Sequence, residues 1–485
     1  MKPKFLLLLL AGSVLVCLTL HSRGQLPAQS PEAPTGFDEQ SNGFSDPNRR
    51  LADQKFFEEV EHTIPDGLGP LYNAQSCREC HQTPVTGAAS QVTELRVGHL
   101  DAHGQFQNPE IQISHGTETI KDRTLVNDRA ICPEIQERVP ATETVRTTRL
   151  ATNTLGDGYV EAIADETLLN IRKQQCKASR GKICGQAIKV LVPGSEGKDR
   201  IGRFGWKDQH ASLLAFAADA YLNEMGITNS LQKSEVTTTC NPPVTTTVPN
   251  SDPTKITEPN SLPDATDNNL EDIDHFASFM RSLKAPARDE TVATPEVQHG
   301  AQLFAKIGCS NCHVETIVTG KSPAAPGGPG LHPDALENRT IHPYSDFLLH
   351  DVGTGDGIPV ALVEHFGRER VEKRMRELKS SREKEMSQPQ KGQTEDECSE
   401  SYQTAVLEGE KHPDLLRDTL CARNKLRTAP LWGLRLRSRL MHDGASVELG
   451  DAIRRHQREA EEVTERFNKL TPGDKKALRA FLQSL

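Results

Sequence analysis

The sequence is short of the side chains that usually fill protein cores. Hydrophobic residues make up 35% of its 485 positions and aromatics 5%, with only two tryptophans and five tyrosines. A chain of this length suffices for two or three domains, so a large apolar cofactor would help to complete their cores. A basic excess is also missing. The formal net charge of −10 argues against nucleic acid as a partner and fits a soluble protein that meets small molecules or a basic partner protein. Long apolar runs are absent after the first. Lys2 and Lys4 precede an apolar run over 5–20, and polar His21, Ser22 and Arg23 follow. This is the pattern of a secretory signal, either cleaved or left as an anchor. Val16 stands before Cys17, where a lipoprotein signal wants a small residue. No later stretch is long and apolar enough to span a membrane.

What is present is a repeated motif. Cys77-Arg78-Glu79-Cys80-His81 and Cys309-Ser310-Asn311-Cys312-His313 both read C-x-x-C-H, the attachment signature of c-type haem. Two thiols three positions apart can add to the two vinyl groups of one porphyrin, and the histidine that follows is then held under the iron. Zinc is the competing reading of paired C-x-x-C motifs, but it needs both pairs in one small lobe, and most of the first half of the chain separates them. Two covalent haem c groups are therefore expected. Export agrees, because c-type haem is attached outside the cytoplasm in bacteria. Of 11 cysteines, Cys17 lies in the signal and four serve haem. The remaining six suggest up to three disulfides in an oxidising compartment, with Cys176–Cys184 and Cys398–Cys421 as local pairs and Cys132–Cys240 as the remainder.

The motifs divide the chain. After a segment over 1–24 read as signal or anchor, the Pro-, Ser-, Gly- and Asn-rich stretch suggests a flexible leader over 25–54. An N-terminal haem domain is expected over 55–288 and a C-terminal one over 289–485. Each half ends on an apolar helical pattern, at 273–283 and 476–485, as a duplicated unit would. Alternating segments between 91 and 200 point to a small β-rich insertion. The stretch 237–269 reads as a long loop, and 368–400 is a charge run with no assigned chemistry. The expected fold is mainly α: two cytochrome c-like haem domains with irregular and small β insertions.

The stretches "GLGPLYNAQSCRECH" (67–81), "GRFGWK" (202–207), "EMGIT" (224–228), "YSDFLLHDVG" (344–353) and "LRTAPLWGLRLRSRLMHDG" (426–444) resemble the peroxidase branch of the di-haem oxidoreductases. The last two are similar to motifs of bacterial di-haem cytochrome c peroxidases and of MauG, the di-haem enzyme of methylamine utilisation. The resemblance implies periplasmic, peroxide-linked chemistry. Peroxide would meet the N-terminal haem, and the C-terminal haem would pass electrons from an unidentified redox partner protein. MauG-like oxidation of a protein or organic substrate, and a non-catalytic electron carrier, are the alternatives. Relatives hold calcium between domains, and no carboxylate cluster in this sequence establishes such a site.

The same resemblance assigns roles. The position fourteen after the histidine of "HDG" supplies the second axial ligand of the electron-transfer haem; from His442 this is His456. Leu449, Ala452 and Ile453 share a helical face with it, and Ser446 is a candidate N-cap. Relatives carry methionine or tyrosine there, so histidine implies a bis-histidine, low-spin centre of relatively low potential. In the first half Trp206 stands where His442 stands, Leu213 matches Leu449 and Ala220 matches His456. Alanine ligates nothing, which implies an open position on the first haem. Glu224, one turn beyond, resembles the distal glutamate that shuttles the peroxide proton, with Glu161 as runner-up. Phe216 departs from the family's distal glutamine. Trp206 resembles the tryptophan between the two haems, and Arg427 is a candidate propionate partner. His99, His103 and His115 follow the first motif without decisive spacing. His350 and Asp351 lie in a family motif without an assigned role.

Overall fold

The computed structural model describes residues 30–63, 66–102, 104, 106–121, 123–192, 199–237, 239–240, 269–324, 329–360 and 422–485. The signal segment, most of the loop over 237–269, the charge run over 368–400, His103, Cys398 and Cys421 lie outside them.

Ten helices among the described residues concern the site. They are α1 (Pro47–Glu58), α2 (Cys77–Cys80), α3 (Asp157–Glu161), α4 (Asp165–Ala178), α5 (Leu213–Met225), α6 (Asp272–Ser282), α7 (Pro295–Ile307), α8 (Leu449–Arg454), α9 (Glu461–Asn468) and α10 (Pro472–Leu482). The fold is not mainly α: 34% of the interpretable residues are helical and 16% lie in strands spread over several small sheets, and two cytochrome c-like domains do not emerge from it. The physical reason lies chiefly in the first half. Strand Thr93–Leu100 pairs antiparallel with Val145–Leu150, with Leu125–Val126 and with Phe106–Gln107. Short two-stranded ladders surround this sheet. Val97, Ile111, Ile113, Val126 and Ile135 give it a core of its own. These largely β-branched side chains pack on a pleated surface, not a helical one.

The two halves repeat one helical arrangement. α1 packs on α6, and α7 packs on α10. Pro47, Pro295 and Pro472 open their helices at a position where the missing N–H costs nothing. Thr294 Oγ1 caps α7 by accepting from Val297 N at 3.3 Å. Gly308 ends α7 at φ 105°, a left-handed turn that glycine takes without strain, and this turn delivers Cys309. Gly300 lets α10 approach: a Cβ there would lie 2.1 Å from the Ala477 carbonyl oxygen. Phe304, Phe481 and Tyr344 then pack with ring centroids 5.3–6.0 Å apart. Burying each such side chain contributes roughly 1.5–3 kcal/mol.

The described part of the expected leader lies against the body. Glu32 bridges Thr340, Thr35 bridges Ala285 and Ser41 bridges Leu283, and Phe44 is buried. The halves are also joined through Lys207, whose Nζ donates to the carbonyls of Ala422, Arg423 and Lys425 at 2.8–2.9 Å and pairs with Asp356 at 2.9 Å. Disulfides Cys132–Cys240 and Cys176–Cys184 form.

Candidate functional site

Each C-x-x-C-H motif sits on a single tight turn after its approach helix. Cys77–Cys80 is α2 itself, and Cys309–Asn311 is a short 3-10 turn. Cys77, Cys80, Cys309 and Cys312 are free thiols while four other cysteines are bridged. Burial pushes the Cys80 and Cys309 thiols up to about 12, so both remain protonated. The motif histidines are held alike. His81 Nδ1–H donates to the Ala88 carbonyl at 3.2 Å, and His313 Nδ1–H donates to that of Tyr344 at 2.9 Å. A carbonyl only accepts, so Nδ1 carries the hydrogen in both rings; in His313 this leaves Nε2 its lone pair, the tautomer a metal-binding imidazole needs, while His81 has a second backbone partner in Thr152. Burial pushes both rings down to about 4, which keeps them neutral. Phe57 lies 6.1 Å from the His81 ring at 58°, and Phe304 lies 6.2 Å from His313 at 54°. Two approach helices thus each place a phenylalanine beside the motif histidine at nearly the same distance and angle.

A large cavity opens at the second motif. Cys309, Cys312, His313, Leu449, Ile453 and His456 line it, as do Trp206 and Arg427. His456 falls just after α8, and its Nδ1–H donates to the Ala452 carbonyl at 2.8 Å, so it too keeps Nε2 for a ligand. His456 is close enough to His313 to contribute to lowering its pKa. An apolar cavity with two histidines of the right tautomer and two thiols on its wall fits a porphyrin. Ser446 does not cap α8. That position belongs to Glu448, while Ser446 donates to Asp451 at 2.7 Å.

Trp206 stands between the halves. Its Nε1–H donates to the Leu150 carbonyl at 2.8 Å, and its ring meets His442 edge-on at 6.2 Å. The residues that the sequence register pairs therefore touch. Both following helices begin at the matched leucines, Leu213 and Leu449. Arg427 donates Nε–H to the Gly205 carbonyl at 2.8 Å and lines the cavity.

Glu224 lies beside the first motif. Asn73 Nδ2 donates to its carboxyl at 2.7 Å, and its charge acts on Cys80. Burial, with Glu94 as neighbour, pushes its pKa to about 8. Glu94 is also subject to burial, but its pKa is lowered because Arg96 Nε donates to it at 2.7 Å. Burial and Glu94 thus favour the protonated form of Glu224, while Arg96 favours the charged form of Glu94. Sequence reasoning missed Glu94; its only signal was its place in an alternating strand. Glu161 has another commitment. It accepts from Arg281 at 2.7 and 2.9 Å and from Leu213 N at 2.8 Å, joining α3, α6 and the start of α5. Burial opposes its charge, but Arg281 holds its carboxyl below the usual range. His99 pairs with Glu143 at 2.8 Å, and Phe216 stacks on Phe204.

Among solved structures the chain is similar to Kuenenia stuttgartiensis hydrazine synthase pressurised with xenon, at 13% identity and a TM-score of 0.35 over 100% of both chains. No protein with a curated description matches it. The profile of the family described as "Di-haem oxidoreductase, putative peroxidase" matches residues 127–412, more than half of the sequence and a span that includes Trp206, Glu224 and the second C-x-x-C-H motif. On that match the chain belongs to the di-haem oxidoreductase family, for which haem is the implied cofactor.

Proposed function

We propose that the protein is a periplasmic di-haem peroxidase that reduces hydrogen peroxide at its N-terminal haem with electrons relayed from the C-terminal one. Cys77 and Cys80 would hold the first haem covalently, with His81 as a ligand to its iron. Cys309 and Cys312 would hold the second, with His313 and His456 as ligands to its iron. Residues 55–288 form the peroxidatic unit in this reading and 289–485 the electron-transfer unit. When bound, the haems supply irons that exchange single electrons and, where a coordination position is open, a place for peroxide.

The chain's residues supply the rest. His81, His313 and His456 each donate Nδ1–H to a backbone carbonyl, which orients the ring for a ligand at Nε2. The Glu94–Glu224 pair can accept the proton of the inner peroxide oxygen and return one to the outer oxygen, because its environment favours a charged carboxyl at Glu94 and a protonated one at Glu224. Trp206 bridges the halves at the cavity wall. The observation that carries the reading is the repeated histidine geometry, Phe57 with His81 and Phe304 with His313. The test is a peroxide titration of the purified, reduced protein followed by absorption. Two electrons should leave the protein per peroxide, and reduced haem left unchanged by peroxide would refute the reading.

A further inference from the structure

One cluster has no part in this mechanism. His350, in the family motif over 344–353, is only 2% exposed. Its Nε2 lies 2.8 Å from Asp346 Oδ2 and its Nδ1 lies 2.9 Å from Glu459 Oε2. The same Nδ1 is 3.8 Å from the Cys312 sulfur. Both carboxylates already accept other N–H groups. Leu348 N donates to Asp346 Oδ1 at 3.0 Å and Gln175 Nε2 donates to Oδ2; Asp351 N donates to Glu459 Oε1 at 3.0 Å. Ionised acceptors satisfy all of these bonds, and both ring nitrogens must then donate, so the ring carries two protons. Gly185 closes over it: a Cβ there would lie 2.8 Å from His350 Nε2. Asp208, Arg203 and Arg427 are further titratable groups in this region, and burial pushes the Asp208 carboxyl well up.

We infer that His350 is a built-in positive charge at the edge of the C-terminal haem site, held as an imidazolium by Asp346 and Glu459, and that it raises that haem's reduction potential. The inference rests on the proposed attachment of haem to Cys309 and Cys312. A cation against the porphyrin edge favours the incoming electron, and carboxylates beside it oppose that electron; charge near the cofactor is one of the levers by which a protein sets haem potential. His350 is a positioning residue in this role, since it acts on the haem through charge and not as a ligand.

The charges predict shifts of opposite sign, which a merely structural cluster would not give. Redox titrations followed spectroscopically on the two-haem protein would compare wild type with His350→Gln and Glu459→Gln, with covalent haem counted by mass spectrometry. His350→Gln should lower the potential of the C-terminal haem by about tenfold in its reduction equilibrium, ~59 mV for one electron. Glu459→Gln should raise it, and the other haem should move little in either variant. Shifts of the same sign, or none in a variant that keeps both haems, overturn the inference. If His350→Gln fails to retain haem, Glu459→Gln decides alone, because its carboxylate sits at the partly exposed rim, 18% exposed; the absence of a rise then overturns the inference. A wild-type chain with fewer than two covalent haems would overturn the attachment beneath it.

Discussion

Replacing Glu224 by Gln should slow peroxide reduction by about 10²–10⁴, the usual worth of a positioned acid–base group. The substitution keeps the size of the side chain and one hydrogen bond to Asn73, and it removes the transferable proton. The structure adds a pH dependence. A group titrating at about 8 is roughly nine-tenths protonated at pH 7 and about one-tenth at pH 9. The protonated form exists below the midpoint, so activity should fall as pH rises through about 8. Glu94→Gln removes the neighbouring carboxylate that helps hold Glu224 high, while Arg96 remains. The alkaline limb should therefore move to lower pH. The assay is the initial rate of peroxide consumption between pH 6 and 10, with haem content measured for each variant. A loss under about fivefold in Glu224→Gln, or an unmoved limb in Glu94→Gln, would refute the reasoning.

Changing Cys309 and Cys312 to Ala should leave one covalent haem per chain by intact-mass measurement; two would remove the second motif from the site. His456→Ala should convert one low-spin ferric centre to high-spin without loss of covalent haem, and an unchanged electron paramagnetic resonance spectrum would count against His456 as a ligand. Arg281→Met leaves the buried Glu161 carboxylate without its main partner and should cost about 3–5 kcal/mol in urea unfolding; a loss below about 1 kcal/mol would mean that the pair contributes little.

Much of the site was legible because it depends on local spacing. The two C-x-x-C-H turns follow from positions close in sequence, whereas the pairing of Trp206 with His442 comes from the family register and the start of α8 is expected at Ser446, short of its place after Glu448. The overall class was not legible. The strands over 93–150 pair across long separations, and short ladders such as Leu349–His350 with Leu426–Arg427 leave almost no periodic trace. Partners remote in sequence were hidden in the same way: Glu94 with Glu224, Arg281 with Glu161, and Glu459 and Cys312 with His350. Proline, serine and glycine over 25–50 suggested a leader free of the body, yet from Ser30 onward those residues bridge parts of both halves, because turn-forming composition says how a chain bends and not whether it is docked.

The hydrogen bond from the Trp206 indole N–H has a kinetic consequence. Its acceptor is the Leu150 carbonyl, and an amide carbonyl is too weak a base to take a proton away. If the indole serves as a relay between the haems, an electron leaving it would leave the hydrogen in place, so charge would cross the crevice without any movement of mass. That transfer should proceed at the same rate in heavy water as in light water. Proton handling would then be confined to the carboxyl pair near the first motif, and electron delivery separated from it along the chain.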